Sequence, residues 1–363
     1  MNNTTTRYRP VTHGHSRPTT GGTGPRWTRR PEHSNWGDFG PDDQLGRLNL
    51  ITPEKVRQGV AEVREGRTFC LSLPLNVPGG SKLNPRRRPP VIRPSRRVSG
   101  LGMNFELSRE DANFTDLVCD DWAELYLQYS TQWDALSHVG GHFDVDGDGH
   151  DELVYYNGYR AGIDIQGPDD NPALEGESRA WALGIERQAE HGIQGRGVMI
   201  DLHAHFGEKY RLVTYRDLEQ VMKADGVVVE SGDILCFHTG FSELLMGLEN
   251  GPDGDFVQRY GPALDGRDKE LHAWIIETGI AALTADNYGV ESVPARPNTG
   301  PCAMLPLHEL CLWKLGMPFG ELWFYGPLAR WLREHKRSRF LLTAPPLRLP
   351  GAVGSPVTPI ATV

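Results

Sequence analysis

Apolar positions recur with a regular period only beyond residue 35. The first 34 residues are rich in Thr, Gly, Pro, Arg and His. A segment of that composition buries too little apolar surface to offset its chain entropy. It predicts an extended or flexible arm over residues 1–34, laid on another surface such as a partner subunit, ahead of one folded body over residues 35–363. Thr52-Pro53-Glu54 reads as a helix start, with a capping hydroxyl, a proline in the first turn and an acid at the positive dipole end. Val56, Val60 and Val63 would form its apolar face and Gly66 its end. Residues 68–75 alternate as a strand, with Phe69, Leu71 and Leu73 on one side.

The second half alternates between the two periods. Strands are predicted over residues 197–202, 233–238, 280–285 and 339–343, and helices over 215–224 (capped by Thr214), 269–278 (closed by Gly279) and 307–315 (closed by Gly316). Such alternation implies an α/β fold with a mixed, largely buried central sheet and flanking helices. Between the halves, residues 83–99 hold many arginines together with Pro85, Pro89, Pro90 and Pro94. The prolines argue against a regular element, which leaves a solvated basic loop or an acid-binding rim.

Composition narrows the classes. The net charge of −9 disfavours a protein that coats nucleic acid or an anionic membrane. No apolar run is long enough for a membrane span, and no secretory signal is visible at the N-terminus. Five scattered cysteines without a CxxC pair suggest reduced thiols of a cytoplasmic protein.

Candidate chemistry concentrates in residues 126–159. Asp134 and His138 are four apart and would meet on one helix face, a common way to orient a histidine as general base near neutral pH. Spacing alone equally allows a helix-capping aspartate and a core histidine. Downstream, Asp144, Asp146 and Asp148 with Gly149 follow the opening rhythm of a calcium loop, and Glu152 adds a further oxygen donor. Tyr155 stands where such a loop needs its last glutamate, so a structural calcium site and a plain acidic turn both remain open. Trp36, Asn49, Phe105, Trp133, Tyr156 and Asn157 are candidates to line an apolar pocket for a flat or aromatic small molecule, and each singly also reads as a core residue. His203 and His205 form a minor alternative metal pair or ordinary surface histidines.

The stretch from Gln128 to His138 resembles the signature of the cyclase family of metal-dependent hydrolases, which includes kynurenine formamidases and isatin hydrolases. Thr131, Asp134 and His138 match the pattern, Ser130 replaces a glycine, and Gln128 and Gln132 stand where the first two histidines belong. Similar blocks run through NWGDFGPDDQLGRLNLITPEKV, GRGVMIDL, SGDILCFHTGF, LTADNYGVESVP, LPLHELCLWKLGMPFGELW and PPLRLPGAVGSPVTPIA. The resemblance implies a swivelling β/β/α architecture and homo-oligomers, dimer or tetramer, with exchanged arms. It assigns His138 as acid or base and adds His308 and Glu321 to the site. It also implies a divalent metal, zinc or manganese, which a neutral amide in place of imidazole holds far less well. Three expectations follow: a weak metal site on Asp134, His308 and Glu321; a metal-free site with Gln132 as hydrogen-bond donor; or a binding protein without turnover. The favoured one is a metal-free or weakly metallated hydrolase acting on an amide, lactam or lactone bond of a small cyclic or aryl substrate. The enzyme runner-up is a cyclase, dehydratase or isomerase of secondary metabolism.

Overall fold

The computed structural model describes residues 25–249 and 251–363. The arm expected over residues 1–34 therefore lies mostly outside the described residues. Its last part rests on the same chain: the Thr28 and Arg29 amides donate to the Val145 carbonyl, and the Trp27 and Trp36 rings meet at 6.2 Å.

Nine strands form the central sheet: β1 (Thr68–Cys70), β2 (Gln132–Asp134), β3 (Gln194–Asp201), β4 (Ile234–His238), β5 (Ala282–Ala285), β6 (Phe319–Glu321), β7 (Arg339–Thr343), β8 (Gly354–Pro356) and β9 (Ile360–Thr362). Their spatial order is β1-β9-β7-β3-β4-β5-β6-β2-β8. The middle strands β3 to β6 are parallel neighbours, and both margins are antiparallel. The sequence is therefore α/β with a mixed central sheet, as the alternating periods imply. The parallel strands are buried on both faces, which is why GVMIDL and DILCFH read as continuous apolar runs. Helices α1 (Pro53–Ala61), α2 (Ile185–His191), α3 (Tyr215–Asp225), α4 (Lys269–Thr278) and α5 (Gly326–Glu334) flank the sheet.

Helix α1 differs from expectation. It stops at Ala61, its buried positions are Lys55 and Gly59, and Val60 stays exposed. Gly59 lets the helix approach the backbone of Gly195 in β3, where a Cβ would meet the Gly195 carbonyl carbon at 2.8 Å. Close approach through a glycine outweighs the valine stripe here. The prolines of residues 83–99 do not exclude regular structure either: Val91–Pro94 pairs with Asp121–Glu124, and Arg96–Arg97 with Gly100–Leu101. Pro94 sits at the end of a two-stranded ladder, where a missing donor is tolerated.

Candidate active site

The Asp134–His138 pair arises from a strand and a turn, not from a helix face. Asp134 ends β2, and the His138 amide donates to the Ala135 carbonyl at 2.9 Å, closing a tight turn. This folds the imidazole back over the carboxylate, with Nε2 3.8 Å from Asp134 Oδ1. The aspartate side chain is fully buried, whereas that of His138 is 23% exposed. On β2 the side chains of Gln132 and Asp134 share one face, and Trp133 points to the other. There Trp133 packs edge-on against Trp323 and donates to the Ala344 carbonyl.

Strand pairing assembles the rest. Glu321 of β6 lies directly opposite Gln132, and Phe319 opposite Asp134. Gln132 Nε2 accordingly donates to Glu321 Oε2 at 3.2 Å and to Asp134 Oδ1 at 3.3 Å, tying two buried carboxylates together. Thr131 fixes the register from below: its hydroxyl donates to the Leu322 carbonyl and accepts from the Leu73 amide. His308 ends the helical turn Pro306–His308, which continues as a π-helix over Glu309–Lys314. Its Nε2 bonds Glu321 Oε1 at 3.0 Å and its Nδ1 bonds Glu291 Oε1 at 2.8 Å.

These contacts set the charges. Burial pushes the Asp134 carboxyl upward, and the charge of Glu321 adds to that, against the opposing pull of His138 and His308. Burial alone would lower His308, yet its hydrogen bonds to Glu291 and Glu321 push it up to about 10. Burial also works against ionised Glu321, but the hydrogen bond from His308 keeps it below its usual range. His308 is thus an imidazolium held between two carboxylates.

The cluster opens into a cleft of about 330 Å³ lined by Arg86, Arg87, His138, Tyr288, Leu305, His308 and Glu321, among others. Glu291, Arg86, Arg87 and Tyr288 were not singled out from the sequence. Glu291 is fully buried and accepts from the amides of Leu307 and His308 as well as from the imidazole. In the block LTADNYGVESVP nothing in its spacing sets Glu291 apart from Asp286. Arg87 donates to the Gln128 carbonyl at 2.6 Å, so the basic segment does reach the site.

A divalent metal is testable against the residues. Asp134, His308 and Glu321 offer ligand atoms within 4.8 Å of one another. Gln132 Oε1 and Asp134 Oδ2 are buried acceptors with no hydrogen-bond donor. This oxygen-rich set with one imidazole fits a divalent cation. Binding would require His308 to lose a proton and to release Glu321, which weakens it at neutral pH. Gln128 Nε2 is likewise buried without a hydrogen-bond partner.

The remaining candidates lie elsewhere. Trp36 is buried against Trp313 and donates to its carbonyl; Asn49 bonds Asp43 and Gly46; Phe105 lies between the guanidinium groups of Arg97 and Arg109. Tyr156 reaches Asp43, and Asn157 donates to the carbonyls of Gly40, Pro41 and Asp43. Neither they nor Trp133 line the cleft, because their polar atoms brace the loops over residues 35–49 and the core. In the acidic loop, Asp144, Asp146 and Glu152 come within 4.8 Å, but Asp148 does not join them. Asp144 accepts from the Gly147 and Gly149 amides and pairs with Arg29, while Glu152 accepts from Val145 and Arg160. These bonds describe an acidic turn that satisfies itself. His203 stacks edge-on with His238 at 5.3 Å, and His205 pairs with Asp225.

Comparison with known proteins fits this geometry. Residues 71–292 match the family model described as Putative cyclase. A crystal structure described as a novel cyclase superposes with a TM-score of 0.71 at 31% identity, over 92% of this chain and all of that one. Isatin hydrolase A from Labrenzia aggregata (TM-score 0.51, 14% identity, 85% of this chain and 98% of that) shares the fold. So does isatin hydrolase A from Ralstonia solanacearum (TM-score 0.51, 16% identity, 85% and 97%). No curated protein sequence matches. The family match over residues 71–292, together with a 31% identical structure covering 92% of the chain, leads to one statement: the chain belongs to the cyclase family.

Proposed function

We propose that this protein hydrolyses an amide, lactam or lactone bond in a small cyclic or aryl substrate, with His138 as general acid and base. The observation that carries this reading is a half-open imidazole at the cleft, backed by a carboxylate with no exposure to solvent. In that reading the His138 ring nitrogen that does not face Asp134 takes a proton from water as its oxygen attacks the carbonyl carbon. The same proton then passes to the leaving nitrogen or oxygen as the bond to carbon breaks. Asp134, 3.8 Å from Nε2, orients the ring. The His308 imidazole, held through both nitrogens by Glu291 and Glu321, positions the Glu321 carboxylate at the cleft. Gln132, both of whose donor contacts go to carboxylates, acts as a positioning residue rather than as an oxyanion donor. A divalent ion, when bound, would be held by Asp134, His308 and Glu321 and would polarise the carbonyl as a Lewis acid. The isatin hydrolase neighbours support a hydrolytic reading through the fold alone.

The test is turnover of lactams, aryl formamides and lactones in heavy-oxygen water. Hydrolysis incorporates solvent oxygen into the product acid; a cyclase, dehydratase or isomerase releases product without it. His138→Ala should lower turnover by about 10²–10⁴-fold, the usual contribution of a positioned acid–base group. Ligand binding with no turnover of any probe would favour the binding-protein alternative. A cytoplasmic setting and a homo-oligomer belong to the same proposal. Five free cysteines support the first. Exposed Ile92, Val98, Leu101, Leu117 and Trp122 on the excursion between residues 91 and 124 support the second.

A further inference from the structure

The rim of the cleft carries two guanidinium groups with no direct carboxylate contact among the described residues. Arg86 and Arg87 both line the cleft, and among the described residues neither forms an ion pair with a carboxylate. Most other described arginines near a carboxylate are paired with it, as Arg196 with Asp233 and Arg296 with Asp265 are. The two guanidinium groups are also placed deliberately. Asn84, buried at the foot of the turn, accepts the Arg86 amide on its side-chain oxygen at 3.1 Å and the Arg87 amide on its carbonyl at 3.0 Å. The same asparagine donates from Nδ2 to the Tyr288 hydroxyl at 2.9 Å, which leaves the phenol proton free for a ligand. Arg87 is further anchored through one nitrogen to the Gln128 carbonyl, so its remaining donors hold a fixed direction. Opposite this polar edge, Val293, Met304 and Leu305 supply an apolar wall.

We infer that Arg86, Arg87 and Tyr288 form an anion-recognition subsite, and that the substrate is a small molecule with a carboxylate at one end and an apolar or aryl body. The inference rests on the hydrolase reading for the identity of the cleft as the reaction site, and it names the class of compound that the cleft takes. A planar carboxylate matches the guanidinium fork and accepts from the phenol as well. Two arginines at the mouth also attract an anion towards a protein whose net charge is −9. The acids on the floor, Glu321 and Asp134, would repel a carboxylate placed there. The anionic end therefore stays at the rim, and the scissile bond reaches His138.

Benzoate and benzamide, which share a shape and differ in charge, are suitable probes for calorimetric titration of the full-length protein. Benzoate should bind more tightly than benzamide. Arg87→Gln and Arg86→Gln should each weaken benzoate by about tenfold, the loss expected for one charge-assisted contact, while leaving benzamide unchanged. Tyr288→Phe should weaken benzoate less, and Arg93→Gln, on the distant excursion, should change nothing. Equal affinity for the two probes, or benzoate affinity that survives Arg86→Gln/Arg87→Gln in a folded variant, overturns the subsite. His138→Ala separates the two claims. If it retains benzoate binding while the wild type hydrolyses no probe, the hydrolase reading fails and the subsite stands. If labelled-water turnover occurs equally well on neutral and anionic substrates, the subsite fails and the hydrolase reading stands.

Discussion

At the residue scale, the site depends on side chains that hold other side chains. Glu291 touches no part of the open cleft, yet its two oxygens collect two amides and the His308 imidazole. Glu291→Gln is expected to lower turnover by about 10–100-fold, the range for carboxylates that orient a functional histidine, with little change in fold by circular dichroism. Asp134 and His138 were brought together by their spacing, whereas His308 and Glu321 came only from the family resemblance of their block. Glu291, Asn84, Arg86 and Arg87 were not, because a single charged residue in a loop has no period, and only the tertiary fold brings it to the cleft. The helix-face argument brought Asp134 and His138 together through the wrong geometry. A strand end followed by a turn can return a side chain four residues on just as a helix does.

Backbone constraints act at the same scale. Gly46 has φ of +56° and packs directly on the backbone of Gly316, so a Cβ there has neither a relaxed conformation nor space. Gly46→Ala should destabilise the protein by more than about 2 kcal/mol in urea titrations.

At the element scale, a buried ion network joins α1 to the sheet. Lys55 of α1 and Arg196 of β3 both bond Asp233, which precedes β4 and is fully buried, and Glu230 completes the group. Removing one partner leaves an uncompensated charge, so Arg196→Met should cost about 3–5 kcal/mol of stability, while leaving ligand affinity at the cleft unchanged. This network explains why the valine stripe of α1 misled: the helix docks through Lys55 and Gly59, and a stripe of three valines carries no information about a buried salt bridge. Strands β3, β4 and β5 were read well because burial on both faces writes itself into composition, whereas β6 and the pairs of residues 91–124 are two to four residues long and carry no period.

A second network, at the end of β4, gives a pH signature. Burial works against protonated His238, but its hydrogen bonds to Asp201 and Glu243 push it up to about 10. Through its bond to His238, Glu243 is held down at about 2. The sign follows from linkage. The raised histidine contributes stability that is complete below its ordinary value near 6.5 and is lost as pH rises towards about 10. The lowered glutamate contributes above 4.5 and loses its share as pH falls towards about 2. His238→Gln should therefore destabilise most between these ordinary values, and the gap in melting temperature from wild type should narrow as pH climbs past neutrality. A gap that widens on the alkaline side would refute the charged form.

At the scale of the whole molecule, the family match fixes the architecture, and the proposed weak metal binding follows from the contacts of His308 and Gln132. Because His308 is already held as a cation and Gln132 already bridges the carboxylates, metal affinity should be low. Dialysis against EDTA should leave most turnover intact; inactivation that zinc or manganese restores would show that a metal is required. The apolar excursion predicts a mass above 40.4 kDa by light scattering of the purified protein.

The most direct test of the central claim follows solvent oxygen. Wild-type protein in heavy-oxygen water should place one labelled oxygen in the carboxyl group of the product, and His138→Ala, equally folded, should place almost none. Product formed without label, or labelled product formed at the wild-type rate by His138→Ala, would contradict the account.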